Sequence, residues 1–190
     1  MNHHKIITKT VQTVCISILL MISTGCSLSS AINVSNPKFI KSAAAPHATV
    51  YFVRPPLVRT RGVADSNIKI ELDEIPLIEL GTAEYTVAYL QPGATDIIIR
   101  SLSFLTTKPM PVEVWRARRF ELEAGETYYI EAQYTEEEFR GTYYVPVLRQ
   151  RADFQSAAEH IKPIGDLAKK SALYDPPPVL HHELVVMDDL

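Results

Sequence analysis

The chain has almost no cysteine, little glycine, a single tryptophan, no excess of basic charge and no long apolar run, and most of these shortages remove a class of function. The two cysteines are Cys15 and Cys26. Cys15 lies inside the apolar stretch near the N-terminus; once that stretch is removed, Cys26 stands alone, an intramolecular disulfide is impossible and packing has to hold the fold. The seven glycines form no phosphate loop and no dinucleotide fingerprint, and no Gly-x-Ser-x-Gly elbow occurs. Nineteen Lys and Arg are set against 22 Asp and Glu. Lys5 and Lys9 belong to the N-terminal segment, so the rest of the chain carries 17 basic against 22 acidic residues. That sign gives nucleic acid no electrostatic footing and adds nothing to the binding of anionic lipid head groups. The run Val11–Ile22 is interrupted by Gln12, Thr13 and Ser17 and is too short for a permanent membrane-spanning helix.

What remains is an ordinary globular composition. Hydrophobic residues make up 46% and charged residues 22%, enough apolar material for one sizeable core. The N-terminus reads as an export signal, with Lys5 and Lys9 and no acid ahead of an apolar region of the right size. That region ends in Ile22-Ser23-Thr24-Gly25-Cys26-Ser27, which resembles the lipobox of bacterial lipoproteins, although Ser23 stands where leucine is more usual. The resemblance implies cleavage before Cys26, a diacylglyceryl group on its thiol and a third acyl chain on the new amino terminus. Two or more chains anchor a protein stably where one does not. Ser27, not Asp, follows the cysteine, and in the enteric sorting pattern this leans toward the outer membrane, facing the periplasm. Two other readings stand beside it, namely ordinary cleavage near Ser42-Ala43-Ala44-Ala45 and an uncleaved anchor.

The chain divides into a signal (1–25), a lipidated tether (26–47), a sandwich domain (48–150) and a C-terminal helix with an extended tail (151–190). The tether is rich in Ser, Ala and Asn, with Pro37 and Pro46 and no sustained period, which predicts a flexible spacer. From Ala48 short alternating runs recur between turn signals: Ala48–Arg54, Ile68–Leu72, Pro76–Leu80, Tyr85–Leu90, Ala94–Phe104, Val112–Leu122, Glu126–Thr135 and Tyr143–Leu148. Gln91-Pro92-Gly93 is a turn, and Ala124-Gly125 reads as the bend of a hairpin. The pattern predicts an all-β fold, an antiparallel β-sandwich of immunoglobulin or transthyretin type with seven to eight strands. Parallel pairing is not expected, since helical crossovers have no room. One short helix is expected over Asp153–Ile161, capped by Asp153, with Phe154, Ala157, Ala158 and Ile161 on one face. Leu180–Leu190 is read as an added strand or a disordered tail.

Several of these pieces together resemble a bacterial family known as domain of unknown function 2846. They are Val50-Tyr51-Phe52-Val53-Arg54-Pro55, Ile70-Glu71-Leu72-Asp73, Glu84-Tyr85-Thr86-Val87, Leu90-Gln91-Pro92-Gly93 and Ala124-Gly125-Glu126-Thr127-Tyr128-Tyr129-Ile130. The resemblance covers about residues 48–135 and departs at Ala94-Thr95. It implies a small β-sandwich, often on lipoproteins, and carries no catalytic residue.

Cys26 is the expected lipidation site, and no catalytic residue, metal site or cofactor is expected. Arg54, Arg59 and Arg61 flank Pro55-Pro56 as a candidate contact patch for an acidic partner, or as a solvated loop. Trp115 with Arg116, Arg118 and Arg119 is a candidate grip for an anionic group, or a charged strand face that is simply solvated. Arg116 and Arg118 share strand parity with Val112, Val114, Phe120 and Leu122, a conflict that a bulge or a nearby strand end would resolve. His181-His182-Glu183 reads as a solvated tail rather than a zinc site, and Glu136-Glu137-Glu138 as a solubilising cap. Tyr128, Tyr129, Tyr134, Tyr143 and Tyr144 are expected mostly as core or cross-strand pairs, with a carbohydrate or peptide platform as the alternative. The sum is a membrane-anchored envelope lipoprotein acting as a non-enzymatic binding or assembly module, whose partners are the membrane and an envelope protein; a small-ligand or glycan binder and an enzyme with a dispersed site are the alternatives.

Overall fold

The structure is a computed structural model, and it describes residues 31–57, 66–103, 110–137, 141–155 and 160–170. Alternation of apolar and polar residues produces β1 (Ala48–Arg54), β2 (Ile68–Leu72), β3 (Ile75–Leu80), β4 (Glu84–Leu90), β5 (Gly93–Ser103), β6 (Val112–Leu122), β7 (Thr127–Glu137), β8 (Gly141–Arg149) and the two-residue β9 (Lys162–Pro163). Two short helices follow β8, α1 (Arg151–Gln155) and α2 (Asp166–Lys170). The strands form a five-stranded sheet in the order β8-β7-β1-β4-β9 and a four-stranded sheet in the order β3-β2-β5-β6. This is the all-β sandwich that the alternation predicts. Its inner faces meet in one core of Val50, Phe52, Ile68, Ile70, Leu72, Leu80, Leu90, Ile97, Ile99 and Ile130, among others. Each such side chain stabilises the fold by about 1.5–3 kcal/mol through apolar area removed from water.

The sandwich departs from the expected pattern in four ways. First, the sheets are not wholly antiparallel: β1 runs parallel to β7, with Val50 opposite Tyr128, and β4 runs parallel to β9. A parallel pair requires a long return path. Here the return from β1 to β7 runs through both sheets, so no helical crossover is needed.

Second, β6 and β7 are not a hairpin. β6 pairs with β5 in one sheet and β7 with β1 and β8 in the other, so Ala124-Gly125 carries the chain between layers. Gly125 has φ of 84°, a conformation that glycine adopts without steric cost, and its N–H donates to His47 O at 2.8 Å.

Third, part of the expected tether belongs to the body. Ile32 and Phe39 pack against the core. Asn33 and Asn36 donate their side-chain amides to Pro76 O (2.8 Å) and Ile75 O (2.9 Å), which covers carbonyls at one end of the edge strand β3. Ile40 N–H donates to Tyr89 O at 2.8 Å. The Ser, Ala and Asn composition that suggests a spacer also suits a segment bound through its amides.

Fourth, the C-terminal segment is a third layer, with two helices rather than one. Phe154, Ile161 and Ala168 bury against Val53, Tyr85 and Val87 on the outer face of the five-stranded sheet. Tyr129 stacks between Tyr51 and Phe154, at 4.9 and 5.6 Å. Lys162 and Ile164 N–H groups donate to Ala83 O and Tyr85 O, both at 2.8 Å. Asp153 caps α1 from inside its first turn, accepting from Gln150 N–H at 3.0 Å, the side-chain half of a capping box. The C-terminal segment thus covers the outer face of the large sheet over β1, β4 and the start of β7, while among the described residues no layer covers the outer face of the small sheet.

Candidate functional site

The open face of the β3-β2-β5-β6 sheet is built by strand parity. In β5 Thr95, Ile97 and Ile99 point to the core, so Asp96, Ile98, Arg100 and Leu102 point out. In β6 Phe120 and Leu122 point in, so Glu113, Trp115, Ala117, Arg119 and Glu121 point out. The β5–β6 register runs without a shift from Gly93 opposite Leu122 to Ser103 opposite Val112, placing Arg100 opposite Trp115 and Asp96 opposite Arg119.

Charges on this face pair across strands. Arg100 Nε donates to Glu71 at 2.7 Å, and its guanidinium lies 3.8 Å from Glu113. The hydrogen bond to Glu71 raises the Arg100 pKa above its ordinary value. Arg119 holds Asp96 in a two-point grip, Nε to Oδ1 at 2.8 Å and Nη2 to Oδ2 at 2.6 Å, a geometry specific to guanidinium. That bond keeps the Asp96 carboxyl below its usual range. Asp73 in the β2–β3 turn accepts from Asp96 N–H at 2.8 Å and lies 3.3 Å from Lys38 Nζ.

Trp115 interrupts this paired surface. Its side chain is 54% exposed. On one side lies an open trough of about 550 Å3 lined by Asp73, Glu74, Asp96, Arg118 and Arg119 together with Trp115. On the other a second trough, of about 610 Å3, runs past Glu113, Val114 and Arg116. Leu102 and Met110, 38% and 72% exposed, add apolar surface at the end of the same two strands. A contiguous exposed apolar patch rimmed by polar groups marks a contact site, whereas single exposed apolar residues are common.

The candidate residues from the sequence are dispersed rather than gathered. Arg54 is not part of a surface patch: it is 1% exposed. It keeps the inward parity of Ala48, Val50 and Phe52, and its guanidinium donates to Ser66 O (2.8 Å), Leu80 O (3.0 Å) and Tyr144 Oη (3.1 Å), lying 5.0 Å from the Tyr144 ring centroid. Proximity to Pro55-Pro56 suggested a loop; the period of two puts the side chain in the core instead. Arg59, Arg61, Cys26 and His181-His182-Glu183 lie outside the described residues.

Trp115 faces out with Arg119, whereas Arg116 and Arg118 have the opposite parity; Arg118 still lines the first trough together with Trp115, and Arg116 the second. No bulge separates them. β6 is the edge strand of its sheet, and inward parity at an edge leads to the open corner of the sandwich. There Arg116 lies 3.9 Å from the ring centroid of Tyr143 on β8. The Tyr143 hydroxyl donates to the Glu137 carboxylate, and that bond raises its pKa.

The tyrosines are packed as cross-strand or interlayer pairs. Tyr134 and Tyr144 meet edge to face at 5.8 Å, the Tyr128 hydroxyl accepts from Glu123 N–H at 2.9 Å, and burial raises the Tyr129 pKa. Sequence reasoning named Trp115, Arg118 and Arg119 but missed Glu74 and Asp96, whose juxtaposition with them depends on the β2–β3 turn and the β5–β6 register.

Comparison with known protein families, with curated proteins and with solved structures finds no match to this chain.

Proposed function

We propose that this chain is an envelope lipoprotein, anchored through acyl groups on Cys26, and that its sandwich is a non-enzymatic binding or assembly module. The contact surface is the open face of the β3-β2-β5-β6 sheet. The observation that carries this reading is an asymmetry among the described residues: the C-terminal segment covers the outer face of one sheet over β1 and β4, while the other sheet exposes Trp115 beside two troughs. Leaving half an indole in water forfeits burial worth about 25 cal/mol per Å2, which a partner recovers on binding. The lipobox-like Ser23-Thr24-Gly25-Cys26 supports the anchor, and Ser27 supports the outer membrane as its destination.

The test has two parts. Cys26→Ala is expected to abolish palmitate labelling and signal cleavage; a variant still processed and membrane-bound refutes the anchor. A photo-cross-linking residue at position 115 is expected to trap a discrete envelope component in cells, while the same residue at Gln133, exposed on the far sheet, does not. Identical products from both positions refute the assigned face.

A further inference from the structure

Granting that the β5–β6 face is the contact surface, we infer that its ligand is a linear pyranose glycan laid across Trp115. The inference starts from charge balance. The trough beside Trp115 gathers three carboxylates, Asp73, Glu74 and Asp96, and two guanidinium groups, Arg118 and Arg119, with Lys38 paired to Asp73. Acceptors and donors are interleaved and nearly cancel. Phosphate, nucleic acid or an anionic bilayer needs a clear positive excess, and this face has none. A neutral polyol needs the opposite, because every sugar hydroxyl both donates and accepts.

Free hydrogen-bonding capacity is present in both forms. Arg119 commits Nε and one Nη2 hydrogen to Asp96, leaving three of the five donors of a guanidinium. The Asp96 carboxylate spends one lone pair on each oxygen and keeps the others. Glu74 adds a carboxylate at an exposed turn. Asp73 and Glu74 have φ of 49° and 66°, the left-handed geometry of a two-residue hairpin turn, which sets both carboxylates at the tip between β2 and β3.

The remaining requirement is a flat apolar surface. The axial C–H bonds of a pyranose carry partial positive charge and settle on the negative face of an indole. Trp115 offers such a ring at the junction of two open troughs, so the ligand is a chain of sugars continuing in both directions rather than one enclosed ring.

Trp115 is the sole tryptophan of the chain, so fluorescence excited where tyrosine does not absorb reports on this site alone. The experiment titrates the full lipidated chain, in detergent micelles, with β-1,4-linked N-acetylglucosamine oligomers from the single sugar to the hexamer. The expected result is a saturable blue shift, tightening as the oligomer grows long enough to cross both troughs. Arg118→Ala and Glu74→Gln should each weaken binding by about tenfold. Trp115→Phe, read by calorimetry, should keep part of it. Absence of a shift or heat with every oligomer overturns the glycan inference. So does a blue shift caused by phosphatidylglycerol vesicles and not by oligomers, which assigns the face to a membrane. If the glycan result is negative but position 115 still cross-links a discrete envelope protein, the contact-surface reading stands and only its ligand class falls. If both are negative, both fall.

Discussion

Arg54 is a buried charge at one end of the sandwich, and removing it should cost more than removing any single ion pair on the surface. Its guanidinium bonds the carbonyls of Ser66 and Leu80 and the hydroxyl of Tyr144, and stacks near the Tyr144 ring. Arg54→Ala strips the donor from Leu80 O and Tyr144 Oη in a dry environment, at about 1–3 kcal/mol for each group left unsatisfied. Ser66 is half-exposed, so water replaces part of its lost bond. Two buried methylenes add about 0.8 kcal/mol each. Relief of the arginine's own desolvation offsets part of this, and the net expectation is about 3–5 kcal/mol, as when one partner of a buried charged contact is deleted. For a domain of this size that lowers Tm by roughly 10 °C. Arg54→Met keeps the stem and loses only the polar contacts, so the difference between the two variants separates packing from hydrogen bonding. Tyr144→Phe should cost about 1.5–3 kcal/mol, the worth of a hydrogen bond to a charged group. Its effect should be non-additive with that of Arg54→Ala by at least about 0.5 kcal/mol. Urea unfolding followed by far-ultraviolet dichroism and by Trp115 fluorescence measures all of these. A cost below about 1 kcal/mol for Arg54→Ala, or full additivity with Tyr144→Phe, would refute the reasoning.

Three other perturbations probe the remaining layers. Phe154→Ala should cost about 3–5 kcal/mol and release the C-terminal layer, seen as faster hydrogen exchange at the amides of Lys162 and Ile164; unchanged exchange there would mean the layer is held by other contacts. Glu74→Gly should relieve about 1–2 kcal/mol of left-handed strain at φ of 66°, offset by about 0.4–1 kcal/mol of added unfolded-state entropy, for a small net stabilisation; a destabilised variant would show that the side chain supports the turn. Asp96 has its pKa lowered by Arg119, so the folded chain binds fewer protons there than the unfolded chain. The resulting stability is fully present above the ordinary carboxylate pKa of 3.8 and is lost as pH falls through the depressed folded value. Asp96→Asn should flatten that part of the acid limb in a pH series of urea midpoints, an effect kept small by exposure of the pair. An acid limb identical to that of the parent chain would remove Arg119 as the cause.

Local order is largely written in the residues themselves. Alternation places β1 at Ala48–Arg54, β2 at Ile68–Leu72 and β6 at Val112–Leu122, with the observed bounds, because a strand's side chains report its two faces every second residue. The burial of Phe154 and Ile161 was equally legible as an apolar face. Pairing was not, because the same alternating strand serves as a hairpin partner, a parallel neighbour or a step between layers. Nothing in Val112–Leu122 and Glu126–Thr135 says that they lie in different sheets. Arg54 shows the same limit: its parity was readable, but a buried guanidinium is tolerable through acceptors distant in sequence, among them those from β3, β8 and the segment before β2. The exposure of Trp115 is likewise a tertiary result. Both sheets have outward residues, and which outer face meets solvent depends on where the C-terminal segment folds back. Composition and alternation thus determine the strands and the sandwich, through contacts between residues near in sequence. The third layer, the buried arginine and the open tryptophan face are decided by contacts between residues far apart, which no local pattern encodes.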